Sequence, residues 1–160
     1  MIKGEILPDG SLDMDHTIKP SIELDAHLGL HLVSKTKPIA TLHLHPTHVV
    51  AAMLAGINLS MIHEYLPELH RYTKVGPTVD EFAPGSADLA TEIFRSMTNK
   101  GQIVYDICGQ KAHGVMAIAE NPWDAFEHIE RLDHACEIVL KAFGANSNID
   151  TTEISYKEIE

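Results

Sequence analysis

The segment Thr41-Leu42-His43-Leu44-His45-Pro46 constrains this chain more than any other. A strand sends successive side chains to opposite faces, so His43 and His45 point the same way. Pro46 then stops the strand. Two imidazoles on one strand face have the make-up of two ligands for a first-row metal ion. The same pair would also suit ordinary polar positions on a half-exposed strand, so a third ligand is needed to separate the two readings. Catalytic zinc sites typically take three protein ligands and leave one position open. His113 is the candidate, in Gly109-Gln110-Lys111-Ala112-His113-Gly114 between two predicted strands. The glycine after it would allow close approach to a neighbour. His48, just beyond the pair, is expected on a helix surface or in support of the ligands.

At 160 residues the chain has the length of one domain with a proper core. No apolar run approaches the ~20 residues of a membrane span. Met1-Ile2-Lys3-Gly4-Glu5 lacks the charged-then-apolar pattern of a signal peptide. Net charge is -11 and no Lys/Arg cluster stands out, which argues against nucleic acid or an anionic membrane as partner. An anionic substrate would need a local positive centre, which a bound cation can supply. The two cysteines, Cys108 and Cys136, form no C-x-x-C pair, so a reducing cytoplasm is expected. Neither a Gly-rich phosphate loop nor a G-x-S-x-G elbow is present.

Residues 1–20, with Asp9-Gly10 as a turn, read as a short strand or hairpin edge. Ser21 is expected to cap a helix that runs to about Ser34 and ends at Lys35-Thr36-Lys37-Pro38. A strand follows over 39–45, then a helix from His48 to Ala55 closed by Gly56. Residues 58–82 are less regular, with a strand expected near Leu69–Thr73. Pro84-Gly85-Ser86 caps a helix of about 87–98. Strands are predicted over Ile103–Ile107 and Val115–Ala119. A long helix from Trp123 to Phe143 carries Phe126, Ile129, Leu132, Cys136, Val139 and Phe143 on one face. Trp123 is expected to anchor it and Gly144 to end it. Strands and helices intermix without a βαβ period, so the expected fold is a mixed α/β (α+β) domain over 1–145. Its central sheet would be largely antiparallel and flanked by helices, followed by a polar tail over 146–160.

Glu23 stands early in the first predicted helix, where the dipole favours a carboxylate anion. Beside a metal-bound substrate it would serve as general base on a carbon-bound proton. On local sequence alone, a solvated helix-start glutamate is the plainer reading, and Asp25 shares it. His27, one turn on, is placed to pair with Glu23 or to cap the packing surface. Tyr65, Tyr72, Tyr105 and Tyr156 are further proton donors among which the sequence does not choose.

Three motifs occur together in order. Pro20-Ser21-Ile22-Glu23-Leu24-Asp25-Ala26-His27 resembles a P-[ST]-[ST]-E-L-x-x-H segment. Leu42-His43-Leu44-His45-Pro46 resembles a strand H-x-H. Ala112-His113-Gly114-Val115 resembles an H-G motif preceding a long helix. Jointly they resemble the class II sugar-phosphate aldolase family, with the rhamnulose-phosphate branch most similar and the fuculose-phosphate branch a near rival. The resemblance implies zinc (Zn2+) held by His43, His45 and His113, acting as a Lewis acid on dihydroxyacetone phosphate, with Glu23 as the proton shuttle. It implies cleavage of a ketose 1-phosphate such as L-rhamnulose 1-phosphate to dihydroxyacetone phosphate and L-lactaldehyde, in a homo-oligomer, typically a tetramer. A related epimerase or decarboxylase, or a truncated non-catalytic metal-binding subunit, is the alternative. The resemblance covers about residues 5–145 and corresponds to the C-terminal part of the family's fold. The phosphate-binding loops of the family's N-terminal region have no counterpart, which points to a fragment, a partner chain or a changed task.

Overall fold

The computed structural model describes residues 4–7, 9, 11–14, 17, 19–34 and 39–145. Strands β1 (Gly4–Ile6) and β2 (Leu12–Met14) form an antiparallel hairpin. Then come α1 (Leu24–Val33), β3 (Ala40–Leu44), α2 (Thr47–Leu54), α3 (Leu59–Tyr65), α4 (Pro67–Tyr72) and α5 (Ala87–Met97). The rest comprises β4 (Thr98–Asn99), β5 (Gln102–Ile103), β6 (Ile107–Gln110), β7 (Gly114–Ala119) and α6 (Pro122–Ala145). The central sheet has the order β3-β7-β6 and is antiparallel throughout. Val75 and Val79 add parallel bridges to Ile107 and Gln110 beyond β6. This is the mixed α/β architecture with an antiparallel sheet that the sequence implies.

The sheet divides the core in two. Val115, Ala117 and Ile107 pack with Val49, Leu59 and Leu132 of α2, α3 and α6. Cys108, Met116 and Ile118 pack on the opposite side with Ala26, Leu30, Leu89 and Ile93 of α1 and α5. Directly opposed residues of an antiparallel pair share a face. The register His43↔Met116 and Thr41↔Ile118 therefore puts Thr41 and His43 on the α1/α5 side. Leu42, opposite Ala117, packs on the α6 side. Register thus decides which helix the histidine meets.

Several expectations are corrected. Helix α1 begins at Leu24 rather than Ser21, because the Ser21 hydroxyl accepts the Glu23 N–H (3.2 Å) in a turn ahead of the helix. Leu69–Thr73 is no strand: Pro67 starts α4, and Leu69 is buried on its inner face. The strand over Ile103–Ile107 is split, since the Val104 N–H turns back to the Met97 carbonyl (3.0 Å) and the Asp106 carboxylate accepts the Lys74 N–H (2.7 Å). Trp123 is 78% exposed and anchors nothing. Asn121 caps the start of α6 instead, its Oδ1 accepting from the N–H groups of Trp123 and Asp124, each at 3.0 Å. Phe126 is half-exposed, while Ile129, Leu132 and Cys136 of the same stripe are buried. Gly144 stays helical because α6 runs on to Ala145. Gly56, at φ +78°, does close α2. The tail, the 35–38 helix end and Gly10 lie outside the described residues.

Candidate metal centre

His43 comes from β3, and His45 follows one step past its end. His113 comes from the three-residue turn between β6 and β7. That turn is tight: the His113 N–H donates to the Gln110 carbonyl (2.9 Å), and Ala112 takes a left-handed φ of +56°. Gly114 is required by close contact. A Cβ there would stand 2.4 Å from the Leu44 carbonyl oxygen and 2.6 Å from Cδ2 of His45. The turn is thereby pressed against the end of β3, and the three rings converge with centroids 4.7–4.9 Å apart.

One nitrogen of each ring lies within 4.8 Å of the others. The Nε2 atoms of His43 and His45 are 2.9 Å apart. A tetrahedral zinc with bonds of ~2.0–2.1 Å sets its ligand nitrogens roughly 3.3 Å apart, so the His43–His45 pair needs to part by only a few tenths of an ångström, while the wider spacings of the set, which reach up to 4.8 Å, would draw in around the ion. His43 Nδ1 donates to the Val115 carbonyl at 3.0 Å, which leaves Nε2 facing the other rings. Burial holds His43 below the ordinary imidazole range, opposed by the Val115 hydrogen bond and the Glu23 charge. A neutral imidazole is the form that binds a metal. The donor set thus fits a borderline-soft divalent ion. The two thiols do not contribute: burial pushes Cys108 and Cys136 up to about 12.

Glu23 is 2% exposed, at the cap position of α1. Its Oε1 accepts the Gly85 N–H at 3.0 Å. Gly85 has φ +71°, and a Cβ there would fall 2.8 Å from the Ile22 carbonyl oxygen. The Pro84-Gly85-Ser86 turn therefore does two jobs. Ser86 caps α5 through the Leu89 N–H (3.1 Å), as the sequence suggests, while Gly85 holds the carboxylate. The second job escapes sequence reasoning, since nothing local links Gly85 to Glu23.

His27 does not pair with Glu23. Its Nδ1 meets the Thr41 hydroxyl at 2.6 Å, and His31 Nε2 meets the same hydroxyl at 3.3 Å. Burial, with His43 and His31 nearby, lowers His27 to about 4. His48 is tied to α6: the Asp133 carboxylate accepts from the N–H groups of His48 (2.8 Å) and Val49 (3.1 Å) and from His48 Nδ1 (2.8 Å). His45 stands at the edge of a cleft of about 780 Å³ that includes Glu68, Phe126 and Asp133. Asp25 is exposed.

Fold and site together define a mixed α/β domain whose sheet end gathers three imidazoles that could hold one metal ion. Residues 2–140 match the family described as Class II Aldolase and Adducin N-terminal domain, and the chain belongs to that family. It is similar to rhamnulose-1-phosphate aldolase of Bacteroides thetaiotaomicron, with 26% identity over 138 residues, 80% of this chain and 49% of that protein. Its fold is similar to a sugar-phosphate aldolase from Thermotoga maritima (TM-score 0.68, 23% identity, 86% of this chain and 61% of the other). It is also similar to L-fuculose-1-phosphate aldolase from Thermus thermophilus (TM-score 0.64, 16% identity, 91% and 75%). The chain spans about half the length of the curated relative. Among the described residues, no helix is long and apolar enough to cross a membrane.

Proposed function

We propose that this chain is the catalytic domain of a zinc-dependent aldolase cleaving a ketose 1-phosphate, foremost L-rhamnulose 1-phosphate, to dihydroxyacetone phosphate and L-lactaldehyde. The observation that carries the reading is the convergence of His43, His45 and His113 within 4.8 Å. The buried Glu23, whose charge is felt at His43, supports it. The similarity to the Bacteroides enzyme supports the substrate. The Thermus relative makes L-fuculose 1-phosphate the second substrate to try.

In this reading the three imidazoles hold the ion, each through one bare nitrogen. When bound, zinc supplies Lewis-acid polarisation of the substrate's carbonyl and hydroxyl oxygens. Glu23 takes and returns the carbon-bound proton. Burial keeps water from competing for its carboxylate, and the Gly85 N–H holds one oxygen and so aims the other. Thr41 shares the sheet face of His43 and is held by His27, whose imidazole is kept neutral by burial with His43 nearby. The working form is a cytoplasmic homo-oligomer, a tetramer as in the family's pattern.

The deciding experiment is proton exchange into dihydroxyacetone phosphate in heavy water, followed by NMR on zinc-loaded protein. Exchange is expected for the wild type and is lost in Glu23→Gln while zinc stays bound. Zinc-loaded protein that neither exchanges this proton nor cleaves either sugar phosphate would instead support a non-catalytic metal-binding subunit.

A further inference from the structure

Gln110 closes β6 with its side chain 1% exposed. The register pairs Cys108 with Met116 and Gln110 with Gly114, so Gln110 lies on the sheet face that carries His43. Its backbone carbonyl accepts the His113 N–H at 2.9 Å. Its carboxamide nitrogen stands 3.3 Å from His43 Nδ1, and its carboxamide oxygen is buried with no hydrogen-bond partner. One residue therefore touches two of the three histidines.

Hydrogen-bond accounting decides how the amide must stand. His43 Nδ1 lies 3.0 Å from the Val115 carbonyl oxygen. A carbonyl only accepts, so Nδ1 carries the ring hydrogen. An amide N–H2 turned toward that N–H sets donor against donor. A half-turn of the carboxamide exchanges its two ends, and the hydrogen-bond network chooses between them. The turned amide puts its oxygen where a donor waits, which removes the repulsion and gives the acceptor a partner, and it moves the N–H2 to the position the oxygen held.

We propose that Gln110 is a positioning residue for His43: its Oε1 shares the Nδ1 hydrogen with Val115 and so keeps the Nε2 lone pair bare for a metal ion. The inference rests on the three-histidine reading above. Such a partner is what selects the ligating nitrogen of an imidazole.

Two readouts test it on the full chain, wild type against Gln110→Leu and Gln110→Glu. Long-range proton–nitrogen spectra of the metal-free protein report which nitrogen of His43 is protonated, and chelator competition gives the zinc Kd. The wild type is expected to show the Nδ1–H form. With the Val115 carbonyl left to hold the Nδ1 hydrogen alone, Gln110→Leu should show a share of the Nε2–H tautomer larger than in the wild type and bind zinc ~10-fold more weakly or worse, the scale of losing a ligand's supporting partner. A carboxylate only accepts, so Gln110→Glu should keep the Nδ1–H form and at least wild-type affinity. If Gln110→Leu fails to fold, the glutamate variant decides. An unchanged tautomer with unchanged zinc affinity in Gln110→Leu overturns the proposal. So does a Gln110→Glu protein of native melting behaviour that loses zinc. Absence of zinc binding in the wild type would instead break the three-histidine reading, and the tautomer comparison would still judge Gln110.

Discussion

His43 and His113 are placed by the β3–β7–β6 ladder, whereas Glu23, the proposed base, is placed by a helix cap and a loop. On the ladder side, five residue pairs fix β3 against β7 and four fix β6 against β7. A one-residue slip would send His43 to the α6 face. On the other side, the side-chain hold on Glu23 among the described residues is one hydrogen bond from Gly85, supported by the packing of α1 on α5. The ladder side holds its groups by periodic backbone pairing. The carboxylate side holds its group by tertiary packing between segments far apart in sequence. The first kind of placement leaves a mark in a single sequence and the second does not.

The comparison can be broken most directly at His113. His113→Ala should weaken zinc binding by more than the ~100-fold that loss of a supporting partner can cost, with the fold intact by circular dichroism. A variant that binds zinc as well as the wild type would remove the ladder side from the metal site altogether. Next in size is Gly114→Ala. Its methyl would collide with the Leu44 carbonyl and the His45 ring, and overpacking of this kind costs about 1–3 kcal/mol. Denaturant melts should show that loss together with weakened zinc binding.

Gly85→Ala sharpens the contrast from the other side. A left-handed φ and a 2.8 Å approach to the Ile22 carbonyl should cost about 1–2 kcal/mol and slow proton exchange into dihydroxyacetone phosphate, while the zinc Kd stays put. Equal loss of zinc affinity and exchange would mean that the two sides are one unit. The effect confined to acid pH concerns His27. Its folded value of about 4 lies below the ordinary 6.5, so the unfolded chain binds more protons between those limits. Stability of the metal-free protein is then full above pH 6.5 and falls as pH drops toward 4. At ~1.4 kcal/mol per unit, discounted for partial exposure, the loss is on the order of 2 kcal/mol. His27→Gln should flatten that slope in melts taken across the range.

What the sequence shows follows the same division. The H-x-H strand, the H-G turn, the long last helix and the Ser86 cap are patterns of local period and turn chemistry, and each could be read directly. Trp123 misled because bulk suggests burial, while a polar Asn121 cap does the anchoring. Leu69–Thr73 misled because five residues with only Leu69 and Tyr72 as large apolar side chains show no period of their own, and Pro67 decides for helix. Gly85 and Gln110 were invisible in their roles. Gly85 meets Glu23 across 62 residues, and Gln110 meets His43 across 67.

His43 and Val115 lie 72 residues apart along the chain, and the site exists only once that span has been drawn shut. Closing a long loop costs entropy before any contact repays it. A cation that needs His43 and His113 together binds only after closure, and it stabilises the closed chain by mass action. Zinc uptake during refolding would therefore clock the moment at which β3 docks on the β6–β7 hairpin.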